Sequence, residues 1–112
     1  MFRTFVIAVL SLVVIGEAGA ASEQTTASPS RLHLVEIQAF SFMPQQTVVA
    51  PGDRIRWVNH DIVPHTVTAE GGFWRPKTLA EGESWELVVE AGGTYSYFCE
   101  FHPHMKGWLA AQ

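Results

Sequence analysis

Cys99, His102 and Met105 stand three residues apart in the stretch "CEFHPHM", and Cys99 is the only cysteine of the 112-residue chain. A lone thiol cannot close a disulfide within its own chain, so four readings compete for it. It is an inert core cysteine, a nucleophile with His65 or His102 as its base, a link to a second chain, or a metal ligand. No acyl-transfer motif surrounds "FCEFH", and an intermolecular disulfide calls for an exposed, mobile thiol. The spacing favours metal. Cys-x-x-His-x-x-Met lets three side chains turn toward one point if the backbone curls around it, and Pro103 helps it curl. Two imidazoles, a thiolate and a weak thioether suit copper, because nitrogen and soft sulfur serve both Cu(I) and Cu(II). The stretch lacks one imidazole, and His65, preceded by Pro64, supplies it if its strand end adjoins that of Cys99.

Strands must do that positioning. From Arg31 onward short apolar or alternating runs, "LHLVEIQ", "QTVVA", "RIRWVN", "HTVTA", "SWELVVE", "TYSYFC" and "GWLAA", are broken by turn residues, and none has a helical period. In "SWELVVE" Trp85, Leu87 and Val89 share one face, and in "RIRWVN" Ile55 and Trp57 do. The same parity sends His65 inward with Val67, and Cys99 inward with Tyr95 and Tyr97. "PGD", "EGE" and "AGG" supply turns, since proline presets φ and glycine accepts positive φ. Two antiparallel sheets face to face would bury the apolar faces. The expected class is all-β, a two-sheet Greek-key β-sandwich of about seven to eight strands. Tyr95, just after "AGG", suits a tyrosine corner, in which a phenol hydroxyl ties back to nearby backbone.

The first twenty residues stand apart. "MFRT" and the apolar "FVIAVLSLVVIG", followed by small residues at Ala18 and Ala20, read as a signal peptide over 1–20, cleaved after Ala20 or Ala21. Residues 21–30 are polar and read as a flexible leader, and 31–112 form the domain. Cleavage removes Arg3 and Glu17, one charge of each sign, so the net charge stays at −4. That sign argues against a nucleic-acid partner. No later segment is apolar enough to insert in a membrane, and the periplasm is the expected location.

The chain resembles the cupredoxins, small blue copper electron-transfer proteins, and most closely the amicyanin and pseudoazurin group. "FSFMPQQTVVAPGDRIRWVNHDIVPHTV" is similar to the family's first-histidine region and "AGGTYSYFCEFHPHMKGWL" to its ligand loop. Pro-Gly-Asp, Trp-x-Asn, Pro-His and Cys-x-x-His-Pro-x-Met occur in the family's order, and the likeness runs from Glu36 to Gln112. The short gap between His102 and Met105 is like the amicyanin loop. The resemblance implies one type 1 copper ion, with His65, Cys99 and His102 as equatorial ligands and Met105 as the axial one. Asn59 resembles the family asparagine that ties the ligand loop to the strand beneath it. Glu100 and Phe101 depart from the usual residues between cysteine and histidine, and a carboxylate facing the metal would favour Cu(II).

By the same resemblance His102 reaches the surface through an apolar patch, with Met43, Pro44, Pro103 and Met105 as rim candidates. His33, His60 and His104 are expected in solvent, and the four tryptophans in the core or its rim. The implied function is a monomeric periplasmic carrier of single electrons between transient redox partners. A copper carrier or buffer without redox cycling is the alternative. An enzyme is not expected, because copper enzymes with this domain carry a second copper centre.

Overall fold

Alternation along the chain sorts its residues into two sheets. The computed structural model describes residues 11–16, 19 and 29–112. The expected signal peptide and leader fall mostly outside those residues. The strands are β1 (Leu32–Gln38), β2 (Ser41–Met43), β3 (Gln46–Val49), β4 (Arg54–Asn59), β5 (Thr68–Ala69), β6 (Ser84–Val88), β7 (Gly93–Cys99) and β8 (His102–Ala111), with no helix among the described residues. One sheet runs β2-β1-β4-β6 and the other β3-β8-β7-β5.

The expected sandwich is there, but its sheets are mixed. β1 runs parallel to β4 and β3 runs parallel to β8, while the other pairs are antiparallel. The parallel partners are not consecutive in the chain, so a longer connection joins them in place of the hairpin that makes neighbouring strands antiparallel. β1 and β4 have the bounds expected of them. β2 is additional: it pairs with β1 through a two-residue turn at Ala39 and Phe40, residues that carry no turn signal.

Between the sheets lie Val35, Ile37, Ile55, Trp57, Val67, Leu79, Tyr97, Cys99 and Leu109, all fully buried. Each aliphatic side chain among them contributes about 1.5–3 kcal/mol relative to exposure. The Trp57 ring stacks on Trp85 at 5.4 Å between centroids and meets Tyr97 edge-on at 5.3 Å. Tyr97 lies across Gly107, its neighbour on β8, where a Cβ would collide with the phenol ring. The Tyr95 hydroxyl donates to the Ala91 carbonyl at 3.0 Å, so the tyrosine corner is formed.

The run "HTVTA" behaves differently from a half-exposed strand. All five of its residues are buried, and only Thr68 and Ala69 join a ladder. His65 instead forms an isolated bridge with Leu79, exchanging both backbone hydrogen bonds at 3.1 and 2.8 Å. The outer side of the run is covered because the turn after β7 folds over it: Glu100 N–H donates to Thr66 Oγ1 at 2.7 Å.

Candidate metal centre

Two strand ends bring the first pair of donors together. Cys99 closes β7 and His65 lies at its bridge with Leu79, and both are fully buried. Cys99 Sγ is 3.7 Å from His65 Nδ1, and the Thr66 N–H points at the same sulfur from 3.4 Å. The opposite ring nitrogen, Nε2 of His65, lies 2.8 Å from the Asp61 carboxylate. Asp61 also accepts the N–H groups of Ala39 at 2.8 Å and Phe40 at 3.0 Å. Burial alone would push the Asp61 carboxyl up, but bonds from Phe40, His65 and Ala39 outweigh it and hold its pKa below the ordinary value. An ionised carboxylate only accepts, so in the neutral imidazole the proton sits on His65 Nε2 and the Nδ1 lone pair faces the thiol.

The expected curled loop is a bulge in a hairpin. β7 and β8 pair from Phe98 opposite Lys106 directly to Cys99 opposite His102, so Pro103, His104 and Met105 have no partner across the ladder. That bulge breaks the strand's alternation, and proline is at home where no N–H is needed. Met105 turns inward and is 3% exposed. The His102 ring lies 5.6 Å from that of His65, and its Nε2 is buried without a hydrogen-bond partner. A buried imidazole nitrogen with nothing to bind is costly unless a ligand or ion completes it. The donor set fits a copper ion in type: two imidazoles, one thiol and one thioether at the same end of the sandwich. Among the described residues no three His, Cys, Asp or Glu side chains already converge on one point; the contact pair is His65 with Cys99, and His102 stands beside it.

Several supporting roles differ from expectation. Asn59 is fully buried, but it ties the segment in front of His65: it donates to the Val63 and Leu79 carbonyls at 3.0 and 2.9 Å and accepts from Asp61 N–H. The link to the cysteine side is made by Thr66, through its N–H to Cys99 and its hydroxyl to Glu100. Glu100 is turned to Arg75, whose Nη2 is 2.9 Å from the carboxylate, so its charge is matched at the surface. Met105 belongs to the core, not the rim, while Met43, Pro44 and Pro103 are exposed as expected. His33 bonds Asp53 at 2.9 Å and His60 approaches Glu36 at 3.5 Å. His104 is exposed, with its ring 6.4 Å from that of His102. Sequence reasoning missed Asp61, Thr66 and Phe40; an acid four residues before His65 was the one available signal.

Comparison with known proteins follows the same lines. A family model for the cupredoxin-like domain matches residues 5–111. An amicyanin from Paracoccus versutus is 26% identical over 117 residues, covering 90% of this chain and 89% of that one. A plastocyanin from Scenedesmus fuscus is 31% identical over 87 residues, 66% of this chain and 89% of that one. Among solved structures, a purple cupredoxin from Nitrosopumilus maritimus superposes with a TM-score of 0.66 at 26% identity, covering 71% of this chain and 99% of the other.

Proposed function

The chain belongs to the cupredoxin-like family, and from that premise we propose that it carries single electrons through one copper ion held by His65, Cys99, His102 and Met105. Residues 1–20 act as the export signal and 21–30 as the leader, and the 31–112 domain works in the periplasm as a monomer. It meets its donor and acceptor transiently, through contacts of under about 1,200 Å². The observation that carries the reading is the buried contact of Cys99 Sγ with His65 Nδ1, backed by Thr66 N–H on the sulfur and Asp61 on the far side of the ring. Bound copper would supply the Cu(I)/Cu(II) couple at that point.

The chain's own residues do the rest. Asp61 fixes the tautomer and direction of His65, so its lone pair is presented without rearrangement. Thr66 N–H stabilises negative charge on Cys99 and restrains its rotation. Burial of Cys99 and Met105 in the core cluster keeps both sulfurs in place whatever the charge of the site. Restraint of this kind lowers the rearrangement that accompanies a change of charge. The same burial argues against an enzyme that uses the thiol as a nucleophile, since a fully enclosed Cys99 offers no substrate a line of approach.

One observation supports the copper-carrier alternative. A cleft of about 220 Å³, lined by Phe40, Ser41, Phe42, Gln45, His104, Met105 and Lys106, leads from the surface to Met105 and gives metal a path past an exposed imidazole. Voltammetry of the copper-loaded protein separates the two. A reversible one-electron wave, with copper retained when an apo acceptor is added, supports the electron carrier; rapid loss of copper to the acceptor supports the metal carrier.

A further inference from the structure

The turn between β1 and β2 breaks a local rule. Ala39 and Phe40 both have positive φ, 50° and 59°, in a two-residue hairpin loop of the kind that Asn-Gly favours. Left-handed backbone is costly for an L-residue, because its Cβ crowds the following carbonyl oxygen. Two such residues side by side persist only if something distant holds them. Asp61, more than twenty residues along the chain, takes both of their N–H groups on its two carboxylate oxygens. The same carboxylate holds His65.

What the turn carries is an aromatic ring set against both histidines. The Phe40 ring meets His65 edge-on at 5.4 Å and 87°, and His102 at 5.0 Å and 79°. Phe40 also forms one wall of the cleft that reaches Met105, and it is 43% exposed. The same ring thus borders the cleft and meets both imidazoles.

We propose that Phe40 is a positioning residue and shutter of this site: the Asp61-held turn presses its ring onto His65 and His102, fixing their ring planes and keeping water in the adjoining cleft away from the two imidazoles and Cys99. Its effect on a metal rests on the copper reading above. Its effect on access to Cys99 does not.

Two glycine substitutions separate the ring from the turn. Phe40→Gly and Ala39→Gly each relieve a left-handed residue, since glycine adopts that conformation freely. Neither is expected to unfold the protein, and urea titration is the check that both remain folded. In the metal-free protein, Phe40→Gly speeds alkylation of Cys99 by iodoacetamide about tenfold as the cleft opens onto the site. Ala39→Gly leaves the rate unchanged, and Phe40→Tyr, which keeps a ring, returns it to the wild-type value. In the copper-loaded protein, Phe40→Gly lowers the reduction potential, because admitted water favours the more highly charged ion, whereas Ala39→Gly does not. Equal alkylation rates for Phe40→Gly and Ala39→Gly overturn the shutter. If alkylation responds while copper loading gives no thiolate absorption, the shutter stands and the copper reading fails.

Discussion

Two aspartates bracket β4, Asp53 before it and Asp61 after it, and each does nearly the same thing. Asp53 accepts the N–H groups of Arg31 and Ala50 and the Nε2 of His33. Asp61 accepts those of Ala39 and Phe40 and the Nε2 of His65. Since β1 and β4 run parallel, one carboxylate clamps the start of the pair and the other its end. The difference lies in what each histidine does next. His33 keeps 22% of its side chain exposed. His65 is enclosed, and its second nitrogen faces Cys99. One carboxylate–histidine clamp closes a fold, and the other aims a donor. A similar hydrogen-bond pattern therefore serves structure or chemistry according to what lies on the far side of the imidazole.

Exchanging each carboxylate for an amide should split the two clamps. Asp61→Asn has the larger effect: it sets an amide N–H against donors that needed an acceptor, costing about 1–3 kcal/mol in urea unfolding. It should also alter the visible spectrum of the copper-loaded protein, because His65 loses its fixed tautomer. A spectrum identical to wild type would reduce Asp61 to the role of Asp53.

Asp53→Asn should lower stability at neutral pH and leave the spectrum untouched. Its effect should fade in acid. Bonds from Arg31, Ala50 and His33 lower the Asp53 pKa from 3.8 to about 2, so the unfolded chain takes up this proton first as pH falls. The stabilisation is whole above the unfolded value and disappears as pH drops through about 2. Urea midpoints of wild type and Asp53→Asn should therefore converge across that window; a constant gap would contradict the assignment.

Arg75→Gln should have the smallest effect, within about 0.5 kcal/mol, because its partner Glu100 is at the surface and Arg75 is 73% exposed. A marked change in potential on this substitution would show that the Glu100 charge is felt at the site.

The sequence made one half of this account legible and hid the other. β1 and β4 could be placed because each is a short apolar or alternating run without a helical period, and the parity of "TYSYFC" puts Cys99 inside, where it is found. Cys99, His102 and Met105 could be singled out as candidates because their spacing is local information, whereas His65, 34 residues from Cys99, joined them through strand parity and the family resemblance. β2 could not, since three residues make no pattern and the turn before it uses Ala39 and Phe40 in place of turn formers. What makes that turn possible is Asp61, a contact across more than twenty residues that no local rule reports. The buried outer face of "HTVTA" was hidden for the same reason, because its cover comes from Glu100, 34 residues away from Thr66.

The central claim is that Cys99 is held unpaired in the core as a metal ligand, and one absorption spectrum tests it most directly. Copper-loaded protein should show an intense visible thiolate-to-copper band that is absent from Cys99→Ser. A wild-type protein without that band, or a band that survives in Cys99→Ser, would contradict the account.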